Sequence, residues 1–309
     1  MVVSLYERIE EKLETGQIII LDGGTGTDIQ RRGVPMNSDT WSAEANITHP
    51  EIVRAVHEDY IAAGADIIIA NTFATSALLF NHLGRDDELP RIEAAAVAAA
   101  KQASQGRVPV AGSFSTMRPV VKGSDRTARQ REWAKKDAKD LFKRKADSLV
   151  AADVDFIIME MMRDLDYSLW ATEAAVATGL PVWVGIGVEA DANGRLKGFG
   201  REDFAFEDII RPLMETGATV LCIMHSSPND TTAAIPVAQA KWKGPLGAYP
   251  ESGYFTMPNW KFVDILPVPS FVELAKAWAE RGVTILGGCC GIGPDHIKAL
   301  ADAFKGSEP

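Results

Sequence analysis

The sequence predicts a single-domain (β/α)8 barrel over residues 1–309, with a core at about 17–304. Three observations predict it. Eight short apolar or β-branched runs recur along the chain, amphipathic stretches of helical length alternate with them, and the runs are nearly continuous in apolar residues. Strands of that last kind are buried on both faces, as in a parallel sheet. A doubly wound sheet usually stops at about five or six strands, so eight repeats favour closure into a barrel.

The runs fall at 18–21, 66–71, 108–113, 154–160, 181–188, 219–224, 245–249 and 283–287. The first is three isoleucines and a leucine, and the second sets Ile67, Ile68 and Ile69 between Asp66 and Asn71. The fourth carries Ile157, Ile158 and Met159 ahead of Glu160, and the fifth repeats Val182, Val184, Ile186 and Val188. Helices are expected at 51–63, 88–104, 131–152, 167–178, 204–216, 231–242, 269–281 and 294–304. Thr48-His49-Pro50-Glu51 opens the first with a Thr cap and a Glu three residues on, which satisfy exposed N–H groups reciprocally. Gly293-Pro294 opens the last, where proline's missing N–H costs nothing.

Composition removes several functional classes. Lys and Arg number 32 against 42 Asp and Glu, so the net charge is 32 − 42 = −10, and neither nucleic acid nor a membrane is an expected partner. The apolar stretches at 66–70 and 156–159 are far shorter than the ~18 residues of a membrane helix. Residues 1–17 carry Glu7, Glu10, Glu11 and Glu14 with only Arg8 and Lys12, the reverse of a secretory leader, so a cytoplasmic location is expected. One segment departs from the acidic average. Residues 118–147 hold eleven basic and five acidic residues, a net of +6, which leaves −16 for the remainder. That segment reads as a solvated helix face, a lid, or a contact for an anionic donor or acidic partner.

In a barrel, chemistry gathers where strands end. Asp22 ends the first strand within Asp22-Gly23-Gly24-Thr25-Gly26-Thr27, and Asn71-Thr72-Phe73 ends the second. Glu160 ends the fourth, Cys222 lies near the end of the sixth, and Gly287-Gly288-Cys289-Cys290-Gly291 ends the eighth. The three cysteines of the chain thus fall near two strand ends separated by one strand, close enough to aim at a common point. An odd count with two adjacent members is no disulfide framework. Three thiolates suit Zn²⁺, and three protein ligands leave the open fourth position of a catalytic site. His225, three residues past Cys222, points to the opposite face of an extended strand and reads as a loop residue.

These motifs, with Gln30-Arg31-Arg32-Gly33, Trp41-Ser42, Tyr249-Pro250-Glu251-Ser252-Gly253 and Pro294-Asp295-His296-Ile297, resemble the zinc-dependent homocysteine S-methyltransferase family from about residue 17 to 304. The resemblance implies a (β/α)8 barrel that moves a methyl group to the sulfur of homocysteine, giving methionine. It implies zinc held by Cys222, Cys289 and Cys290, with the substrate sulfur as fourth ligand. Asp22 and Glu160 would take the homocysteine ammonium, and the backbone around Gly23, Gly24 and Thr25 its carboxylate.

Family donors include small sulfoniums and quaternary ammoniums, whose cationic methyl groups need aromatic faces. Trp41 and Phe73 match aromatic positions of the betaine-using members, whereas Ala74 and Met161 stand where those members have Tyr. Residues 112–118 lack the Gly-Pro-Tyr-Gly run common among users of S-methylmethionine. Two alternatives stay open: a methyl group delivered by a separate corrinoid protein docking at the basic segment, and a non-catalytic zinc-binding protein.

Overall fold

The computed structural model describes residues 4–121, 126–127, 132–256 and 261–306. Eight parallel strands form one sheet. They are β1 (Ile19–Ile20), β2 (Ile68–Ala70), β3 (Val110–Ser115), β4 (Phe156–Met162), β5 (Val182–Ala190), β6 (Val220–Met224), β7 (Leu246–Tyr249) and β8 (Ile285–Leu286). Pairing runs β1-β8-β7-β6-β5-β4-β3-β2. A parallel bridge between Leu21 and Ile67, with the Asp66 N–H donating to Ile20 O at 2.7 Å, joins β1 to β2 and closes the ring. This is the (β/α)8 arrangement that the eight runs predict, and the resemblance implies the same fold.

Two apolar clusters follow from strand alternation. Ile19, Leu21, Ile67, Phe156, Ile158 and Trp183 point into the barrel, while Ile20, Ile68, Ile157, Val184 and Leu221 pack outward under the helices. The amino-terminal end of the barrel is stoppered by an unforeseen helix, Leu5–Glu14, which adds Tyr6 and Ile9 to the interior cluster. Ser4 and Glu7 form a capping box at its start, and Tyr6 Oη accepts from Trp183 Nε1 at 2.9 Å. Two hairpins were also unforeseen: Leu196–Gly198 folds back antiparallel on β5, and Tyr254–Thr256 pairs with Lys261–Val263 beyond β7. Among the described residues no helix is long and apolar enough to cross a membrane.

Much of the described part of the basic segment is paired with carboxylates. Lys122, Asp125, Arg129 and Arg131 lie outside the described residues. Its helix is Lys135–Ala151, on which Lys136 faces Asp140, Lys139 faces Glu173, Lys143 faces Asp147 and Arg144 faces Asp86, all within 3.8 Å. Lys145 is wholly buried against Glu93, also wholly buried, and donates to Thr75 Oγ1 at 2.9 Å and Thr72 O at 3.2 Å.

His57, on helix Pro50–Ala62, is fully buried, and burial lowers its pKa to about 4. The unfolded chain protonates this imidazole near its ordinary value of about 6.5, while the folded chain resists until about 4. Stability from the neutral form is therefore present above about 6.5 and lost as pH falls toward 4, by about 3 kcal/mol in full. His57→Leu is expected to flatten that acid limb, read from urea unfolding at pH 7 and pH 4.5. Equal acid losses in the variant and the parent would show that this histidine does not govern it.

Candidate active site

The loop after β8 is held from both sides at the carboxyl-terminal mouth. The Cys289 N–H donates to Pro250 O at 2.8 Å, and Cys290 O accepts from the Ser252 N–H at 2.9 Å. On the other side Arg31 Nη2 donates to Gly291 O at 2.7 Å, and the Gly24 N–H donates to Ile292 O at 2.9 Å. A Cβ on Gly24 would stand 2.7 Å from Cys289 O, so only glycine lets the β1 loop approach this closely. Several motif residues thus brace the cysteine turn.

The result is a pair of sulfurs, Cys289 Sγ and Cys290 Sγ, 4.0 Å apart, with His225 Nδ1 3.6 Å from Cys289 Sγ. The Cys290 sulfur, aided by burial, pushes the Cys289 thiol well above its ordinary value, and His225 opposes the shift. Two adjacent sulfurs can both ionise here only around a cation. A tetrahedral zinc with Zn–S near 2.3 Å and Zn–N near 2.05 Å separates its ligands by about 3.8 Å (S···S) and about 3.6 Å (N···S). The donor set therefore fits a soft metal ion. Among the described residues, the His, Cys, Asp and Glu ligand atoms that lie within 4.8 Å of one another are those of His225, Cys289 and Cys290.

Cys222 is placed differently. It is fully buried in the barrel interior, on the rung shared with Gly185, Gly247 and Ile285, two residues short of the end of β6. It does not line the mouth cavity, whereas His225, Cys289 and Cys290 do. His225 also departs from simple alternation. Its φ of 47° turns the backbone out of the extended form, so that the ring swings back over the mouth. The Ser226 hydroxyl fixes this turn, donating to Met224 O and accepting from the Val188 N–H, both at 2.9 Å. The imidazole rests edge-on against Phe199 at 5.0 Å, and Glu251 Oε2 lies 3.3 Å from Nδ1.

Two carboxylates complete the polar part. Glu160 lines the cavity, accepts from the Ser113 hydroxyl, and has a pKa pushed up to about 7 by burial. Asp22 is also raised, by burial first and by the charge of Glu160, although the Ile69 N–H donates to its Oδ2 at 2.7 Å. Asp22 Oδ1 is buried with no hydrogen-bond partner among the described residues. Glu160 thus faces the cavity, while Asp22 is buried outside its lining yet near enough for the two charges to interact. The bulge in β4 between Met159 and Met162 re-aims this end of the strand, and Met161 takes φ 58° within it. At the β1 loop the Thr25 N–H donates to Gly23 O, and Thr25 begins helix Thr25–Arg31.

The apolar wall is aromatic. Trp41 and Phe73 line the cavity edge to face, with centroids 6.3 Å apart. Their loops are tied by Asn71, whose side chain accepts from the Ser42 hydroxyl at 2.8 Å and donates to Asn46 Oδ1 at 2.9 Å. Phe255 and Phe262, 6.0 Å apart on the hairpin beyond β7, add two further faces. The sequence reading overlooked both. Their signal was the alternating Tyr254-Phe255-Thr256 and Lys261-Phe262-Val263 pair. Ala74 is buried away from the cavity lining, and Met161 lines it with a thioether.

A closed β/α barrel with paired sulfurs, a buried carboxylate and aromatic faces around one mouth has the layout of an enzyme that acts on a small molecule. Residues 19–304 match the family model for homocysteine S-methyltransferase, and the chain belongs to that family of methyltransferases. It is 27% identical over 331 residues to betaine–homocysteine S-methyltransferase 1 of Xenopus laevis, covering 96% of this chain and 77% of that protein. It is 28% identical over 322 residues to homocysteine S-methyltransferase 4 of Zea mays, covering 96% and 92%. The metallated form of the homocysteine methyltransferase MmuM from Escherichia coli superposes with a TM-score of 0.77 at 19% identity, over 97% of this chain and all of that one, a likeness of fold.

Proposed function

We propose that the protein transfers a methyl group from a small sulfonium or quaternary ammonium donor to the thiol of homocysteine, giving methionine, with zinc at the Cys289–Cys290 corner. The observation that carries this reading is the juxtaposition, in one cavity, of that sulfur pair with Glu160, Trp41, Phe73, Phe255 and Phe262. Bound there, zinc would supply the positive charge that keeps a thiol ionised at neutral pH.

The chain's own groups do the rest. Glu160 and Asp22 Oδ1 take the ammonium, which supplies the positive partner that burial denies them. The β1 loop around Gly23, Gly24 and Thr25, which lines the cavity, receives the carboxylate. The aromatic faces receive the onium head and exclude water from the reacting pair. The sulfur forms its bond to the methyl carbon as the donor's C–S or C–N bond breaks in line, and the electron pair leaves with the donor. The thiol proton has gone to solvent beforehand. Positioning supplies most of the acceleration. The reaction needs Cys289 and Cys290 reduced, which suits a cytoplasmic compartment. Four basic side chains along Lys135–Ala151 are matched by carboxylates, and a small donor is the favoured reading.

The test is a donor screen with zinc-loaded protein and homocysteine, reading methionine by mass. Methionine from no sulfonium and no quaternary ammonium would defeat the proposal. Glu160→Gln is expected to raise the KM for homocysteine about 10- to 100-fold, the worth of one charge-assisted contact, while zinc content stays unchanged. Loss of zinc in that variant would contradict the role assigned to Glu160.

A further inference from the structure

We infer that the third protein ligand of the metal is His225 and not Cys222, which makes the centre a His/Cys/Cys site in place of the three-cysteine site that the family resemblance implies. This rests on the reading that a zinc ion occupies the Cys289–Cys290 corner.

Position is the first argument. Cys222 shares its rung with Gly247 and Ile285, and the paired cysteines come four and five residues beyond Ile285. Met224, on the same strand face two residues on, lines the cavity and stands between Cys222 and the mouth. A Cβ on Gly247 would lie 2.5 Å from Cys222 Sγ, so the thiol is packed sideways against the neighbouring strand. It behaves as a small apolar core residue.

The second argument is the geometry of His225. Its left-handed backbone places the ring over the mouth, and the 3.6 Å from Nδ1 to Cys289 Sγ equals the separation of two ligands on one tetrahedral ion. Phe199 packs edge-on against the ring in that orientation, and Glu251 Oε2 lies 3.3 Å away on the same Nδ1 side. Charge follows from the ligand set. Two thiolates and a neutral imidazole leave the zinc centre neutral before substrate binds, one unit more positive than three thiolates would. Such a centre ionises a bound thiol more readily and holds the resulting thiolate more tightly.

Metal binding, read without any turnover, tests the assignment. In zinc K-edge X-ray absorption of the parent protein without substrate, two sulfur scatterers and an imidazole pattern are expected. Three protein sulfurs without imidazole would overturn the inference. In competition with a chelator, His225→Ala is expected to weaken zinc binding about 100-fold or more, while Cys222→Val stays within a few-fold of the parent. The reverse order, in variants whose circular dichroism matches the parent, would overturn it as well. A parent protein that takes up no zinc at all would remove the metal reading itself. Zinc bound with two sulfurs and one imidazole but no methyl transfer would uphold this assignment while defeating the proposed reaction.

Discussion

Cys290→Ala is expected to lower kcat/KM for methyl transfer by about 10³-fold or more while leaving the fold intact. A factor of that size corresponds to about 4 kcal/mol of transition-state stabilisation. Loss of thiol ionisation cannot supply all of it. An uncoordinated thiol with a pKa near 8.5 is still a few per cent ionised at pH 7, which accounts for only ~30-fold. The remainder must come from position, because the substrate sulfur loses the anchor that sets it in line with the donor's methyl carbon. The turn itself should survive, since its hydrogen bonds to Pro250, Ser252, Gly24 and the Arg31 guanidinium are made by the turn's own backbone groups and do not use the Cys290 sulfur. Circular dichroism, zinc content and kcat/KM measured on one preparation check the prediction. A variant that keeps a tenth of the parent's activity would show that this sulfur does not carry the chemistry.

The sequence exposed those features whose physics is local. Strands such as 66–71 and 154–160 are legible because a strand buried on both faces needs a run of apolar residues. The Gly-Gly-Cys-Cys-Gly turn is legible because such tight packing requires glycines, and Gly24 shows from the opposite side how tight it is. The helix Leu5–Glu14 is equally legible in the spacing of Leu5, Ile9 and Leu13. His225 was hidden for a different reason. Alternation assumes extended backbone, and a single residue at φ 47° reverses which face the side chain serves. Three cavity-lining residues, Trp41, Met161 and His225, share that positive φ. Such torsions persist at functional sites because surrounding contacts over-determine them, and those contacts come from distant parts of the chain.

Lys145→Met is expected to destabilise the protein by about 3–5 kcal/mol, the cost of leaving one member of a buried ion pair without its partner. Lys145 and Glu93 are both fully buried, and beside them the Thr75 hydroxyl has its one proton to share between Thr72 O at 2.8 Å and Glu93 at 3.0 Å. This cluster lies under the Asn71-Thr72-Phe73 turn, so it supports the cavity wall at one remove. The pair itself adds little net stability. Burial already lowers the Lys145 pKa, and Glu93 Oε2 has no hydrogen-bond partner among the described residues. The double variant Lys145→Met/Glu93→Leu should therefore recover most of the loss, because neither charge is then desolvated. Urea midpoints for the parent, the single and the double variants decide it. A double variant as unstable as the single would mean that Lys145 contributes through its packing and not through its charge.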